Sequence, residues 1–344
     1  MISMFKRLIN RLLARFGYML VKQERADSGV SSDGNKKVYG PVPERLHIIT
    51  EQLYSRLPQS AINAFWNYVS RDPETYSYLH TAPPEHKTRE ILRIGNCLLP
   101  DIFNPATGLS RFNTPDDVHA MVREEVYCGD LYYCDLISEA LHGCGRAMAP
   151  GGTYLDFGCS SGRVIRTLSV ACPESKFMGC DPNAKTIEWA RQAMPSIHFF
   201  VSPERPPLNI GDGAIDGAYA ISIWSHFSER AAWDWLDEMH RVIRPGGFIL
   251  FTAHGFGSLE YYTESNLMPQ AQKRAAAAAM NRAGHFFVDV FGPQGDWGVG
   301  KSDWGQFFVN PAHVIQNLRG KWALLDFVPR RSENNQDVYL LERA

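Results

Sequence analysis

The sequence lacks the paired cysteines that mark a zinc site or a disulfide framework. Its seven cysteines are an odd number, and no two of them form a C-x-x-C pair. That spacing fits neither a cysteine-rich metal site nor the scaffold of a small secreted domain. We therefore expect reduced thiols and a cytoplasmic location.

A strong excess of basic charge is also absent, as are long apolar runs. The formal net charge is −2, whereas proteins that bind nucleic acid over their surface normally carry a basic excess or stripe. No stretch approaches the roughly 18 consecutive apolar residues that a membrane-spanning helix needs. Nucleic acid is therefore not an expected partner.

Residues 1–25 have the pattern of a basic amphipathic helix. Apolar residues recur at helical spacing, and Lys6, Arg7, Arg11 and Arg15 occupy the other face. The arginines interrupt the apolar core that a signal peptide requires. Two interpretations stay open: residues 1–24 contact the inner face of a membrane as a peripheral anchor, or the helix packs on its own protein or on a second subunit of an oligomer.

The rest of the chain divides into three segments by composition. Residues 26–43 are polar and rich in Gly, Ser and Pro, which is typical of a linker. Residues 44–149 have mainly helical patterns, and residues 150–344 alternate between strand and helix patterns. This alternation predicts a doubly wound α/β domain with a mostly parallel sheet. No internal repeat is visible.

The first strand of the α/β segment ends on a carboxylate and runs into a loop of small residues. Asp156 lies near the end of "TYLDF", and the loop that follows contains Gly158, Cys159, Ser160, Ser161 and Gly162. Small residues allow a ligand to approach the backbone closely at the carboxyl end of a parallel strand. A carboxylate would repel a pyrophosphate at this place, so a ligand with positive charge or several hydroxyl groups is favoured over a dinucleotide.

A second acid, Asp181, ends the next predicted strand, "KFMGCD". A carboxylate there can accept hydrogen bonds from the two hydroxyls of a ribose. Acids at two adjacent strand ends suit a ligand that combines an amino-acid head, a sulfonium and a ribose, which is S-adenosylmethionine. The alternative is that Asp156 and Asp181 only cap helices.

Four segments in this order resemble the class I S-adenosylmethionine-dependent methyltransferases. "LDFGCSSG" is similar to the first motif of that family, D/E-x-G-x-G-x-G, with Ser160 in place of the middle glycine. "GCDPN" resembles the end of the ribose-binding strand. "IDGAYAISIWSHFSE" and "MHRVIRPGGFILFTAHG" resemble the fourth strand, its helix and the fifth strand. The resemblance covers about 150–254 and implies an enzyme with a seven-stranded sheet.

The same resemblance implies which residues contact the cofactor. The first two motifs supply Asp156, Gly158, Cys159, Ser160, Gly162, Asp181 and Pro182. The family usually places an acid or amide after the third strand, near the adenine, and Glu204, with Ser202 just before it, takes that position here. Ile223 lies at the end of the fourth strand, close to where the transferable methyl group is expected.

Methyl transfer to a hydroxyl also needs a general base, because a neutral alcohol is a poor nucleophile. His226 and His254 follow the fourth and fifth strands and are the candidates, although histidines at such positions are often only structural. No dense cluster of Asp, Glu and His in the sequence indicates a metal, so none is expected.

The acceptor is indicated only by resemblance. The N-terminal segment resembles a leader found on bacterial enzymes of cell-surface polysaccharide pathways, which implies a sugar or glycan hydroxyl as the acceptor. Three alternatives stay open: a non-catalytic regulatory or scaffold protein that binds S-adenosylmethionine, a methyltransferase acting on a nitrogen or carbon of a small molecule, and an NAD-dependent oxidoreductase.

Overall fold

A computed structural model describes residues 47–109, 130–289 and 303–344 of the chain. The helix predicted at 1–25 and the linker predicted at 26–43 lie outside these residues and stay predictions. Within the described ranges, no helix is both long enough and apolar enough to cross a membrane.

The described part of the chain contains twelve helices and nine strands. The helices are α1 (Ile48–Tyr54), α2 (Gln59–Val69), α3 (Pro73–Thr81), α4 (Pro84–Leu98), α5 (Pro100–Thr107), α6 (Leu131–Gly143), α7 (Ile165–Ala171), α8 (Ala184–Ala193), α9 (Glu229–Val242), α10 (Phe256–Glu264), α11 (Gln270–Ala283) and α12 (Pro311–Asn317). The strands are β1 (Thr153–Phe157), β2 (Lys176–Asp181), β3 (His198–Val201), β4 (Ile215–Ala220), β5 (Ile243–Ala253), β6 (His285–Val288), β7 (Gln306–Val309), β8 (Trp322–Ser332) and β9 (Gln336–Arg343).

Seven of these strands form one sheet in the order β3-β2-β1-β4-β5-β9-β8. The pairs β1–β2, β1–β4, β2–β3 and β4–β5 are parallel, and β9 is antiparallel to both β5 and β8. The predicted doubly wound α/β fold with a mostly parallel seven-stranded sheet is confirmed.

Helices cover both faces of the sheet because its central strands are apolar on both sides. One face presents residues such as Tyr154, Tyr219 and Leu250 to a core shared with α1, α6 and α7. The opposite face presents residues such as Leu155 and Phe251 to α9 and α12. The strand ends that carry the predicted site therefore belong to a rigid, packed framework.

Two local details bear on the site. The helix after β1 begins only at Ile165, because the preceding turn contains left-handed residues at Ser160 and Gly162. The strand β6 lies outside the main sheet. It pairs with β7, a strand that the sequence pattern did not predict, in a separate antiparallel pair.

A buried carboxylate fixes the start of α1 against α6. Asp135 Oδ1 accepts hydrogen bonds of 2.9 Å from the backbone N–H groups of Ile49 and Thr50, two groups that have no partner within a helix start. His47 Nδ1 and Arg89 Nη2 each lie 3.5 Å from Oδ2 of the same carboxylate. Asp135 is 3% exposed, so the contact joins two helices inside the core.

Replacing Asp135 should therefore destabilise the protein strongly. We expect Asp135→Ala to lower the free energy of unfolding by about 2–4 kcal/mol, because buried N–H groups and the Arg89 guanidinium lose their acceptor. Urea unfolding followed by circular dichroism measures this, with the exposed Asp234→Ala as the matched control. Equal unfolding midpoints for the two variants would contradict the assigned role.

Candidate functional site

The loop after β1 has the backbone geometry that a glycine-rich motif provides. Gly158, Ser160 and Gly162 have φ values of 78°, 47° and 73°, all in the left-handed region. A Cβ on Gly158 would lie 2.2 Å from Ile223 Cδ1. Glycine is the residue that adopts such φ values without strain, which gives a physical reason for the motif and shows that Ser160 occupies its position in a glycine-like conformation.

Asp181 ties this loop to the end of β2. Its Oδ2 accepts a hydrogen bond of 2.9 Å from the Ser160 N–H, and its Oδ1 accepts one of 2.9 Å from the Asn183 N–H. Burial raises the pKa of Asp181 to about 6, although these two hydrogen bonds oppose the shift. Each carboxylate oxygen has a second lone pair, so the side chain can still accept hydrogen bonds from a ligand.

The Asp156 side chain is almost completely buried. It is 4% exposed, and its Oδ2 has no hydrogen-bond partner among the residues that the structure describes. Burial raises the pKa of Asp156 to about 8, and interactions with Tyr219, Arg163 and the Ile165 N–H only partly oppose this. It lies on the sheet face that packs against α6 and α7, since it is two residues from Tyr154 in β1.

The structure brings most of the other predicted cofactor residues to the same edge of the sheet. The Gly158 and Cys159 N–H groups both donate to Cys180 O at the end of β2. The Ser202 N–H donates to Asp181 O at 3.1 Å, so the end of β3 joins the group. Pro182 follows Asp181 directly and is half-buried, whereas Glu204 is exposed. Each of these assignments to the cofactor stays a prediction.

His226 is held by a segment far away in the sequence. Its Nδ1 donates to Gly305 O at 2.8 Å, and its ring stacks on Trp304 with ring centroids 4.9 Å apart. A carbonyl oxygen can only accept, so Nδ1 carries the proton and Nε2 is the basic nitrogen of the neutral ring. Burial lowers the pKa of His226, which keeps the ring neutral at pH 7.

His254 is close to His226 but is enclosed by protein. The two ring centroids are 6.2 Å apart, and His254 is 1% exposed. Its ring stacks on Phe308, and its Nε2 lies 3.3 Å from the Tyr262 hydroxyl. Burial, with the nearby His226, lowers the pKa of His254 to about 3, so this ring stays neutral over the physiological range.

A buried polar network, not foreseen from the sequence, holds the loop after β4, which carries His226, against the end of β5. Gln336 Nε2 donates to Ser222 Oγ at 2.8 Å, Thr252 Oγ1 donates to Gln336 Oε1 at 2.6 Å, and the Ser222 N–H donates to Thr252 Oγ1 at 2.7 Å. Ser222 has a φ of 62°. Gln336 comes from β9, over 80 residues along the chain, so no local sequence signal could have indicated it.

The buried Asp156 should make stability depend on pH in an unusual direction. Its pKa is about 8 in the folded protein, well above its ordinary value of 3.8, so the folded state holds the proton more tightly and stability is lost as pH rises between these values. We expect Asp156→Asn, which stays neutral, to be more stable than the wild type at pH 8 by a few kcal/mol, since each tenfold change in proton affinity corresponds to about 1.4 kcal/mol. The difference should vanish near pH 4.

Asp216→Asn is the matched control because the pKa of Asp216 is displaced in the opposite direction. Burial raises the pKa of Asp216, but hydrogen bonds from the Thr153 N–H and Arg244 outweigh this and hold it below its usual value. This variant should be less stable than the wild type at pH 8. Thermal unfolding across pH 4–9 measures both, and a parallel response of the two variants would show that Asp156 is not buried as described.

Comparison with known proteins finds a family match in the central part of the α/β segment. Residues 155–247 match the family model of the methyltransferase domain. An uncharacterized 37.1 kDa protein in a transposon of Streptomyces fradiae is 31% identical over 114 residues. That alignment covers 32% of this chain and 32% of the relative, so the chain spans about a third of the length of that protein.

The solved structures that are similar to this chain include two methyltransferases. An S-adenosylmethionine-dependent methyltransferase from Methanosarcina mazei is 17% identical, with 57% of this chain and 93% of that chain covered and a TM-score of 0.41. One from Clostridium acetobutylicum is 12% identical, with 67% and 95% covered and a TM-score of 0.41. At such identities the likeness carries no information about the acceptor. The finding that bears on function is the family match: residues 155–247, less than half of the chain, match a methyltransferase domain.

Proposed function

We propose that the protein is an S-adenosylmethionine-dependent methyltransferase that methylates a hydroxyl group of a sugar or surface glycan. The position of Asp181 supports S-adenosylmethionine as the cofactor. Its carboxylate lies at the end of β2 and accepts a hydrogen bond from Ser160 in the loop after β1. The small residues of the loop would let a ligand approach the backbone closely, and the carboxylate oxygens can accept hydrogen bonds from ribose hydroxyls. The residues present therefore fit the cofactor.

When bound, S-adenosylmethionine supplies an electrophilic methyl group on a sulfonium, a good leaving group. The protein's part is to position the acceptor in line with that bond and to exclude water. His226 follows the end of β4, where Ile223 contacts the loop of β1, and its Nε2 is basic in the neutral ring. In this proposal Nε2 takes the proton of the acceptor hydroxyl as its oxygen forms the new bond to carbon.

His254 supports this arrangement without touching the acceptor. It is 1% exposed and its pKa is about 3, so it is poorly suited to receive a proton from a substrate. The Phe307 N–H donates to Ser225 O, and the Val309 N–H donates to His254 O. Strand β7 is therefore hydrogen-bonded to the backbone next to His226 and at His254. We assign His254 a positioning role.

Two features support a sugar as the acceptor. Trp304 stacks on His226, so an aromatic side chain stands beside the proposed base, and aromatic faces are suited to packing against sugar rings. The second feature is the resemblance of the N-terminal segment to leaders of surface-polysaccharide enzymes. If that segment also contacts an anionic membrane surface, as the first interpretation of residues 1–24 holds, the enzyme would work near lipid-linked glycans.

Asp181→Asn tests the cofactor site. We expect the affinity for S-adenosylmethionine, measured by isothermal titration calorimetry, to fall by about 1.5–3 kcal/mol at pH 7.5, the scale for losing hydrogen bonds to a charged group. The wild-type affinity should also decrease as pH falls through about 6, because the carboxylate that accepts the hydrogen bonds becomes protonated. The variant should lack this pH step.

Glu188→Gln is the control, since it removes an exposed acid from α8 next to the same strand end. It should bind the cofactor like the wild type. If Asp181→Asn also bound normally while its melting temperature fell, Asp181 would be only a cap for the loop and for α8.

His226→Gln tests the hydroxyl acceptor and its base. With radiolabelled S-adenosylmethionine and a panel of sugars, lipid-linked glycans and small amines, we expect kcat to fall by about 10²–10⁴-fold, the usual contribution of a general base, at unchanged cofactor affinity. Transfer to an amine that the variant performs at the wild-type rate would point to the alternative of a nitrogen acceptor. Cofactor binding without transfer to any compound would favour the scaffold alternative.

A further inference from the structure

Three metal-ligating side chains from distant parts of the chain meet outside the predicted cofactor site. Glu229 is the first residue of α9, His285 the first of β6, and His313 lies in α12. One ligand atom from each lies within 4.8 Å of the others. Glu229 and His313 are 84 residues apart in sequence, which is why no local sequence pattern indicated a metal.

Ordinary polar contacts account for only part of this cluster. Glu229 Oε1 lies 2.8 Å from His313 Nε2, a hydrogen bond between an acid and a histidine. His285 Nδ1 lies 3.3 Å from the same carboxylate oxygen, but it forms no well-aligned hydrogen bond with any residue that the structure describes. A buried nitrogen left without a partner is costly. A cation shared by the three side chains would give it one.

The distances suit a small tetrahedral cation. Zinc binds histidine nitrogen and carboxylate oxygen at about 2.0–2.2 Å, which places neighbouring tetrahedral ligands about 3.4 Å apart. The separation of Glu229 Oε1 and His285 Nδ1 is already 3.3 Å. His313 Nε2 lies 2.8 Å from Glu229 Oε1. Small side-chain rotations would bring this third ligand atom to the same spacing. Two neutral histidines and one carboxylate also match the donors found in zinc sites with an open fourth position.

The surrounding fold holds the ligands in place. Gly284, with φ of 85°, ends α11 directly before His285, and a Cβ on it would lie 2.2 Å from His313 Nδ1. The His313 ring therefore packs on bare backbone. Asn310 caps α12 through a 2.9 Å hydrogen bond from the Ala312 N–H, and Ser228 caps α9. Such support from helix starts and tight turns fixes ligand directions.

We propose that Glu229, His285 and His313 form a binding site for a divalent transition metal, with Zn²⁺ as its occupant and water as the fourth ligand. The ion would fasten β6 and α12 to the start of α9. Because β6 pairs with β7, and β7 connects to the backbone of the loop that carries His226, the metal would steady that region without touching the methyl group. This proposal does not depend on the methyltransferase activity.

The test is Zn²⁺ binding by the full-length protein after removal of metal with a chelator. Isothermal titration calorimetry should show about one equivalent of Zn²⁺, and the bound ion should raise the melting temperature. His285→Gln and Glu229→Gln should each weaken this binding by more than about tenfold, since even the loss of an outer-shell partner costs roughly 10- to 100-fold in affinity. His142→Gln, an exposed histidine at the end of α6, is the matched control.

Cobalt provides a readout that does not rely on the variants. Co²⁺ bound by histidine and carboxylate should lack the sulfur-to-metal charge-transfer band that a cysteine ligand would produce. Circular dichroism confirms that each variant folds, and His313→Gln replaces any that does not. Absence of Zn²⁺ binding in the wild type, equal binding in the ligand variants and the control, or a thiolate band with Co²⁺ would each overturn the proposal.

Discussion

Parallel pairing of β1 with both β2 and β4 is the constraint on which the candidate site depends. Parallel strands end at the same edge of the sheet, so the residues after β1, β2 and β4 are brought together although they are far apart in sequence. Asp156 is paired with Gly179 of β2 and with Tyr219 of β4. The loop of β1 thus lies between Asp181 and Ile223, and a ligand on it would meet all three strands.

Burial of ionisable groups at this edge sets their chemistry. Asp156, Asp181 and His254 all have pKa values displaced toward the neutral form, in each case mainly by burial. Only Asp181 is both partly exposed and held by two backbone N–H groups. Of these three side chains Asp181 is therefore the most accessible to a ligand. Asp156 and His254 are 4% and 1% exposed, and burial favours their neutral forms.

Segments that follow β5 in the sequence hold the loop after β4, which the parallel strands alone do not contact in this way. Residues 303–307, which include the start of β7, lie against residues 225–228. Ser228 donates a hydrogen bond to Asp303, and the Gly305 N–H donates to His226 O. These contacts fix the loop after β4, where a catalytic base is proposed. Gln336 from β9 completes the support from the other side of the same loop.

The sequence by itself determined the elements whose signals are local. The alternation of strands and helices was enough to predict the doubly wound sheet, which the structure confirms. The strand patterns ending on Asp156 and Asp181, with the small-residue loop, predict the edge at which we expect a ligand. The left-handed φ of Ser160 follows the glycine pattern that was read from the motif. Such features depend on neighbours within a few residues, so they can be read without the fold.

Only the tertiary structure decided which of the predicted residues are accessible and what surrounds them. The structure shows that Asp156 lies on the sheet face covered by α6 and α7, and that Phe308 and Tyr262 pack against His254. The strand β7, the Gln336 network and the meeting of Glu229 with His285 and His313 had no local signal at all. Burial and long-range contacts arise from packing between segments many residues apart, and that packing is a property of the folded chain.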